Sequence, residues 1–254
     1  MSFFKFENKD IYYEETGCGT PLLLLHGNSA SSNMFAMAVE KYAQHYKVIL
    51  IDFLGHGRSQ RLNSFPADLW FYEAEQVIAF LKEKQYGKVN IIGSSGGALA
   101  AINVALEAPE LVEKVIADSF EGEVPLKSFT DNIIEDREAS KKDPDSRMFY
   151  YYMHGDDWES VVDNDTNAIA CHCKTIGRFF HKPLSSLSVP ILMTGSKEDE
   201  FISSIEPDYF EKTYGDMIYK IGHGEICLFE TGRHPAMLSN EDKFREVCRA
   251  FLEK

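Results

Sequence analysis

The stretch NIIGSSGGALAAINVALEAPE, residues 90–110, joins a short apolar run to a helix-like run through a turn that contains two adjacent serines and three glycines. By itself it is compatible with a structural turn, in which serine and glycine serve only the backbone. A tight turn between a strand and a helix can also present a nucleophilic hydroxyl. The rest of the chain has to show whether Ser94 or Ser95 has catalytic partners.

Size and composition restrict the classes of protein that this sequence can represent. The chain has 254 residues, of which 44% are hydrophobic and 26% charged, as in globular proteins with one large core. Its net charge of −14 disfavours nucleic acid and anionic membrane surfaces as partners. No apolar run is long enough to span a bilayer, and the first residues lack the pattern of a secretory signal. We therefore expect a cytoplasmic protein.

The cysteines predict neither disulfides nor a metal site. Their number is odd and they are mostly scattered, which in a chain without an export signal indicates reduced thiols: Cys18, Cys171, Cys173, Cys227 and Cys248. The segment CHCK around His172 has closer spacing than metal sites use and lacks a second pair of ligands. We expect no metal.

Short apolar runs separated by helical patterns predict the fold class. The first run, KDIYYEETG, alternates as an antiparallel strand does. The later runs are apolar on both faces, which is typical of parallel strands covered by helices on each side: TPLLLL, YKVILI, KVNIIG, LVEKVIAD, SVPILMTG and EICLFE. The sequence therefore predicts an α/β protein with a mainly parallel, doubly wound sheet.

One region interrupts this alternation. Residues 120–188 contain no obvious strand and are rich in acidic and aromatic residues, which indicates a few helices inserted between two strands of the sheet. The predicted organisation is a core formed by residues 1–119 and 189–254, with residues 120–188 as a helical cap.

Polar residues follow the predicted strands at the edge where ligands gather in such sheets. Ser94 and Ser95 follow one strand, Glu198 and Asp199 follow a later one, and His234 follows the last. A serine, an acid and a histidine at the ends of separate strands are the groups that a proton-relay nucleophile requires.

The chain resembles the α/β-hydrolase fold superfamily, and the resemblance runs from about Tyr12 to the C-terminus. Five segments in the expected order carry it: PLLLLHGN, DFLGHGRS, GSSGGALA, GSKEDEF and GRHPAMLSNEDKF. Within the superfamily, the cap and the nucleophile turn are loosely similar to those of small-ester hydrolases of the valacyclovir-hydrolase and proline-iminopeptidase type. The resemblance implies a Ser-His-Asp triad and no metal or organic cofactor.

The glycines next to the two serines distinguish them. In such folds the positions two before and two after the nucleophile must be small, because the turn presses against neighbouring elements. For Ser95 these positions are Gly93 and Gly97, whereas for Ser94 one of them is Ile92. The pattern favours Ser95 as the nucleophile and gives Ser94 a supporting position in the turn or on the pocket floor.

Two histidines compete for the role of general base. His234 follows the apolar run Ile226–Phe229 and precedes a helix, so it should emerge at the carboxyl edge of the sheet. His223 would take this position only if MIYKI, residues 217–221, were the strand. We favour His234, which also matches the final motif of the superfamily.

The acid that orients the base is ambiguous within GSKEDEF. The usual spacing after the glycine selects Glu198, and an alignment on DEF selects Asp199. We choose Asp199 and keep Glu198 as the alternative. Asp118 is a further candidate, because some superfamily members place the acid after the preceding strand.

The resemblance also implies the groups that stabilise the oxyanion. These are the backbone N–H of Gly96, directly after the nucleophile, and that of Asn28, after the His-Gly pair. His26, His56, Asp52 and Arg58 lie in motifs that usually shape loops, and we interpret them as structural.

The predicted function is that of a serine hydrolase acting on a small ester or a related acyl compound. A perhydrolase, a C–C hydrolase or a lyase could use the same triad, and a non-catalytic binding protein could keep the fold. Glu121 and Glu123 could receive an amine, which leaves an aminopeptidase-like substrate as a further alternative.

Overall fold

The computed structural model describes residues 2–202 and 206–254. Within these residues, eight strands form one sheet in the order β1-β2-β4-β3-β5-β6-β7-β8. β1 and β2 pair with each other, and β2 with β4, in antiparallel fashion, and the remaining neighbours are parallel. The strands are β1 Ser2–Phe6, β2 Lys9–Thr16, β3 Thr20–Leu25, β4 Tyr46–Ile51, β5 Val89–Ser94, β6 Val112–Asp118, β7 Ile191–Ser196 and β8 Glu225–Phe229. The predicted fold class is confirmed.

Helices follow most of the strands. They are α1 Val39–Tyr42, α2 Leu69–Lys84, α3 Gly96–Glu107, α4 Lys127–Thr130, α5 Ile133–Ser140, α6 Pro144–His154, α7 Trp158–Thr175, α8 Tyr209–Ile221, α9 Ala236–Ser239 and α10 Glu241–Leu252. None of the helices in the described part of the chain is both long and apolar enough to cross a bilayer.

Two apolar cores lie on the two faces of the sheet, because successive strand residues point to opposite sides. Leu23 and Leu25 pack in the core that contains α2 and α3. Leu22 and Leu24 pack in the other core, against aromatic residues of α10 such as Phe244. Burial on both faces explains why these strands read as continuous apolar runs rather than as alternating ones.

The strand alternative that concerned His223 is wrong. Residues 217–221 belong to α8, and the last strand is Glu225–Phe229. The apolar residues of α8 that are buried, Phe210, Tyr214, Met217 and Ile221, recur at intervals of three and four residues, which is the spacing of one helix face.

Residues 120–188 lie between β6 and β7 and contain α4 to α7. Tyr150 of α6 stacks on Trp158 of α7 with ring centroids 5.6 Å apart, and both pack on Val162. These three residues form a small core of their own, while Phe120, Phe179 and Phe180 pack in the core that contains α2 and α3, and Tyr151 and Tyr152 are exposed.

Candidate active site

The turn that follows β5 holds Ser95 in a strained backbone conformation. Its φ is 55° and its ψ is −123°, and α3 begins at the next residue. The Ser95 N–H donates to the carbonyl of Asp118 at 2.7 Å, which fixes the turn against the end of β6. Non-glycine residues rarely adopt a positive φ, and such strain is concentrated at functional sites.

Gly93 and Gly97 are required by contacts of the turn. A Cβ on Gly93 would lie 2.1 Å from the carbonyl oxygen of Gly97, and a Cβ on Gly97 would lie 2.3 Å from that of Leu25. Both distances are too short for any side chain. The steric condition that distinguishes Ser95 from Ser94 in the sequence therefore has a direct structural counterpart.

Ser94 is the last residue of β5 and is fully buried. Its hydroxyl lies at 3.5 Å from Asp118 Oδ2, to which it donates. Both serines line the same cavity, but Ser95 is partly accessible whereas Ser94 is not.

His234 and Asp199 are joined by a hydrogen bond. His234 Nδ1 lies 2.8 Å from Asp199 Oδ2, and the aspartate is completely buried. The other oxygen, Oδ1, accepts from the backbone N–H of Phe201 at 3.0 Å. A second anchor holds the histidine, because its backbone N–H donates to Glu200 Oε2 at 2.9 Å.

The competing acid and base candidates lie elsewhere. Glu198 Oε2 accepts from the backbone N–H of Gly232 at 3.3 Å and makes no hydrogen bond to His234 among the described residues. His223 precedes β8, at the amino end of that strand, and its Nε2 contacts the carbonyl of Leu187 at 2.9 Å. Neither residue lines the cavity that contains Ser95.

Asp118 lies beneath the site as a buried acceptor. Thr194 Oγ1 donates to its Oδ1 at 2.8 Å, and the N–H of Met237 donates to its Oδ2 at 3.0 Å. Burial raises the pKa of this carboxyl to about 6, although these hydrogen bonds and the nearby His234 act in the opposite direction. Its hydrogen bonds connect the ends of β6 and β7 to the segment that follows His234.

Asn28 and Gly96, the two residues predicted to supply oxyanion donors, both adjoin the turn at Ser95. Gly27 packs so closely on the turn that a Cβ there would lie 3.0 Å from the Cβ of Ser95, and this brings the following residue, Asn28, next to the turn. Gly96 is the first residue of α3, where an N–H has no partner within the helix. Among the described residues, neither the N–H of Asn28 nor that of Gly96 donates to another group.

Residues 20–173, more than half of the chain, match the family described as the alpha/beta hydrolase fold. The chain belongs to this family. An (E)-2-((N-methylformamido)methylene)succinate hydrolase of Acinetobacter baylyi is 32% identical over 109 residues, which are 42% of this chain and 40% of that protein. A pimeloyl-(acyl-carrier protein) methyl ester esterase of Aliivibrio salmonicida is 24% identical over 265 residues, 96% of each chain.

Other curated relatives are matched over 33–55% of their own length. Among solved structures, an esterase from Exiguobacterium antarcticum superposes with a TM-score of 0.79 at 19% identity, covering 100% of this chain and 99% of that one. This similarity concerns the fold of the α/β-hydrolase.

A cavity of about 530 Å³ lies between the sheet edge and the helices of residues 120–188. Its floor includes Ser95, Gly96, Asn28 and His234. Apolar and polar side chains of residues 120–188 enclose the cavity on the other side. Among them are Phe129, Ile133, Arg137, Phe149, Tyr150 and Ile169. The volume is typical of sites for small organic ligands.

Trp70 is a residue of the site that sequence reasoning missed. Its indole Nε1 donates to Asn28 Oδ1 at 3.1 Å, so it fixes the side chain next to Gly96. A Cβ on Gly96 would collide with that same amide oxygen. Trp70 lies in the first turn of α2. From the sequence, its apolar character indicates only core packing, and it belongs to no motif that would assign it to the site.

A buried polar cluster joins the inserted helices to the core of the α/β-hydrolase. Asp165 of α7 accepts a hydrogen bond from the Ser29 hydroxyl at 2.6 Å, and its Oδ1 lies 3.4 Å from His56 Nε2. The N–H of Gly57 donates to His154 Nδ1, so His154 Nε2 carries the proton and donates to the carbonyl of Ser29. We name these contacts the cap clasp.

The ring of His26 makes two hydrogen bonds that shape the loop around it, which is the structural role that the sequence analysis gives this residue. The N–H of Phe53 donates to its Nε2 at 3.1 Å, and its Nδ1 therefore donates to the carbonyl of Gly27 at 2.9 Å. Burial lowers the pKa of His26 to about 4, so the ring is neutral and positions the loop that carries Asn28.

Proposed function

We propose that the protein is a serine hydrolase that cleaves a small ester or a related acyl substrate. Ser95 is the nucleophile, His234 the general base and Asp199 the acid that orients it. The contact between His234 Nδ1 and Asp199 Oδ2, in a cavity that also contains the strained Ser95, carries this proposal. The curated relatives support it, because they include methyl ester esterases.

The first half of the reaction forms an acyl-enzyme. Because Asp199 accepts the Nδ1 proton of His234, Nε2 is the nitrogen that has a lone pair for the Ser95 proton. Ser95 Oγ attacks the ester carbonyl as Nε2 takes this proton. The imidazolium then returns the proton to the departing alkoxide, and the alcohol leaves.

The second half hydrolyses the acyl-enzyme. A water molecule gives one proton to His234 Nε2 while its oxygen attacks the acyl carbonyl. Collapse of the second tetrahedral intermediate breaks the bond to Ser95 Oγ, which recovers the proton from the imidazolium. The products are a carboxylic acid and an alcohol, and the enzyme returns to its initial state.

The N–H groups of Asn28 and Gly96 stabilise the oxyanion in both halves. Both residues adjoin the turn at Ser95, and neither N–H donates to another group among the described residues. Removal of one such donor typically costs about 10²–10³ in kcat. Since these donors belong to the backbone, their geometry depends on Gly27 and on the start of α3.

Among the described residues, the Ser95 hydroxyl makes no hydrogen bond to His234. Catalytic hydrogen bonds of this type are often long before substrate binds and tighten in the Michaelis complex. We therefore expect the Ser95 side chain to turn toward Nε2 when an ester occupies the cavity.

A fluorophosphonate probe tests the proposal, because it reacts covalently with an activated serine. Wild-type protein and Ser94→Ala should be labelled, whereas Ser95→Ala and His234→Ala should not. Peptide mapping of the labelled wild type should place the probe on Ser95. Unlabelled wild type, or labelling that persists in Ser95→Ala, would overturn the assignment.

A further inference from the structure

The turn of residues 27–30 contains Asn28, which carries one of the two oxyanion donors, and it is in contact with the cap clasp. The turn follows β3 and is closed by the N–H of Ala30, which donates to the carbonyl of Gly27 at 3.3 Å. Ser29 is fully buried within it and has a φ of 53°, a conformation that costs free energy for a residue other than glycine. Such a conformation persists only where surrounding contacts hold it.

The inserted helices supply contacts that hold Ser29. Its hydroxyl donates to Asp165 Oδ2 of α7 at 2.6 Å, and its carbonyl accepts from His154 Nε2 of α6 at 3.1 Å. These partners lie 136 and 125 positions further along the chain. Burial lowers the pKa of His154 to about 3, so the ring is neutral, and its single N–H is on Nε2 because Nδ1 accepts from Gly57. One side chain from each of α6 and α7 therefore fixes the strained residue.

The carbonyl of Ser29 begins a chain of hydrogen bonds that leads to the oxyanion donor. The peptide unit between Ser29 and Ala30 accepts from His154 at one end and donates to the Gly27 carbonyl at the other. That carbonyl belongs to the same planar peptide unit as the N–H of Asn28. Hydrogen bonds in such a chain polarise one another, and each one restricts the orientation of the next peptide unit. His154 is thus linked to the Asn28 N–H through two peptide units.

Groups of the core hold other parts of the same turn. His26 Nδ1 donates to the Gly27 carbonyl at 2.9 Å, and Trp70 Nε1 donates to Asn28 Oδ1 at 3.1 Å. Neither of these bonds is made with Ser29. We therefore expect the conformation of Ser29, and with it the second peptide unit of the chain, to depend on the cap clasp.

We propose that Ser29, His154 and Asp165 are positioning residues of the reaction, which hold the turn of residues 27–30 so that the Asn28 N–H meets the oxyanion. None of the three lines the cavity, so each acts through the turn and not by touching the substrate. This inference rests on the proposed hydrolase function, because that reaction is what forms an oxyanion at Ser95. It makes the alignment of the oxyanion donor depend on α6 and α7.

The proposal predicts a kinetic signature that a purely structural role does not have. Bonds to the oxyanion strengthen in the transition state, so their loss lowers kcat and leaves KM almost unchanged. Removal of a whole donor typically costs about 10²–10³ in kcat, and displacement of a donor that is still present should cost about tenfold or more. Contacts that only stabilise the fold would change the folded fraction and not kcat per active site.

The experiment uses the p-nitrophenyl ester that wild type cleaves fastest, among acyl chains of two to eight carbons, and its thionoester. Sulfur accepts hydrogen bonds more weakly than oxygen, so the thionoester gains less from the oxyanion donors. Active sites are counted by titration with the fluorophosphonate probe. Ser29→Ala should lower kcat for the ester by about tenfold or more, with KM almost unchanged, and should reduce the preference for ester over thionoester.

Asp157→Ala is the matched control. It removes the pair between Asp157 and Arg61, at 2.7 Å, which also joins the inserted region to the core but does not involve the turn of residues 27–30. Its kcat and its preference for the ester should remain those of wild type. Unchanged kcat and preference in Ser29→Ala would overturn the proposal. An equal loss in Asp157→Ala would also overturn it, because the effect would then follow from any loosening of the inserted helices.

His154 gives a second test at the other contact of Ser29. The amide of His154→Gln can donate to the Ser29 carbonyl and accept from the Gly57 N–H, whereas His154→Leu can do neither. His154→Gln should therefore keep more of kcat and of the preference for the ester than His154→Leu. Equal values in the two variants would contradict the hydrogen-bond chain.

The wild type decides if the variants do not fold. A trifluoromethyl ketone forms a hemiketal oxyanion with an activated serine, and the corresponding alcohol has a similar shape but cannot form one. Since coupling is reciprocal, the ketone should slow hydrogen exchange in residues 27–33 and 150–156 more than the alcohol does. Equal exchange in the two complexes would contradict the proposal. Wild type that the fluorophosphonate does not label would instead contradict the hydrolase function, so the two failures are distinguishable.

Discussion

His234 and Asp199 lie 35 positions apart in the chain, and yet the Nδ1 of one is 2.8 Å from the Oδ2 of the other. Their loops follow β8 and β7, which are parallel neighbours in the sheet. Because both loops leave the same edge, a contact between them needs no long-range distortion. The edge-to-face packing of the Phe201 ring on the histidine, with centroids 5.2 Å apart, restricts the imidazole further.

This contact predicts a large difference between two neighbouring acids. Asp199→Asn should lower kcat for a neutral ester by about 10⁴, because the amide favours the wrong tautomer of His234. Glu198→Gln, which alters only the acceptor for the N–H of Gly232, should change kcat by less than about tenfold. Steady-state kinetics on both variants, with matched thermal unfolding, checks this. A larger loss in Glu198→Gln would transfer the role of the acid to Glu198.

The turn at Ser95 predicts a stability contrast between two glycines. Gly93→Ala should destabilise the fold by about 1–3 kcal/mol or prevent folding, since its Cβ would meet the carbonyl of Gly97. Gly215 lies within α8 and a Cβ there meets nothing within 4 Å. Gly215→Ala should therefore stabilise by roughly 0.5–1 kcal/mol. Urea unfolding measures both, and a neutral Gly93→Ala would contradict the steric account of the turn.

The sequence predicts the fold well because its main signals are local. Continuous apolar runs identify β3 to β8, and the glycines around Ser95 mark the turn. The N-terminal strand β1 is absent from the prediction, because the connection to β2 lacks the usual glycine: Glu7 and Asn8 both adopt positive φ, at 50° and 63°. In the structure, β1 is held in the sheet by its antiparallel pairing with β2.

The site is predicted less completely because its geometry depends on contacts that are distant in the chain. The spacing within GSKEDEF does not show whether Asp199 or Glu198 contacts His234. That depends on the conformation of the turn, in which the Asp199 N–H donates to the carbonyl of Ser196. Trp70 contacts Asn28 across 42 positions. Glu123 pairs with Lys220 across 97 positions, a contact that no local pattern indicates.

Asp118 predicts a pH dependence of stability. Its pKa in the folded state, about 6, lies above the ordinary value of 3.8, so the folded protein holds this proton more strongly than the unfolded chain does. Stability should therefore fall as pH rises from about 4 to 6, by on the order of 3 kcal/mol for this group alone. Asp118→Asn cannot ionise and should lack this component.

Urea unfolding of wild type and Asp118→Asn at several pH values gives the slope of the free energy of unfolding against pH. Comparison of the two slopes tests this prediction. The amide can still accept from the Met237 N–H and contact the Thr194 hydroxyl, so the variant should fold. Identical slopes for the two proteins would show that Asp118 is not the group that titrates.

The cap clasp predicts that Asp165 stabilises the protein most at neutral pH. Asp165→Asn should lower the free energy of unfolding by about 1–3 kcal/mol, because it weakens the charge-assisted hydrogen bond that the buried Ser29 hydroxyl donates to this carboxylate. Asp163→Asn, on the same helix, removes a partly exposed pair with Lys141 and should cost less than about 1 kcal/mol. Burial opposes ionisation of Asp165, but His56, Arg137 and Ser29 together lower its pKa below the ordinary value.

A lowered carboxyl pKa contributes stability that is present above the unfolded value, about 3.9, and is lost as pH falls through the lower folded value. The difference between wild type and Asp165→Asn should therefore be full at pH 7, begin to shrink only below about pH 4, and be smallest at the lowest pH at which the protein folds. Urea unfolding across this range measures it, with Asp163→Asn as the surface control. A difference that grows on acidification would contradict an ionised Asp165 in the clasp, because only a carboxyl that binds its proton more tightly in the folded state behaves in that way.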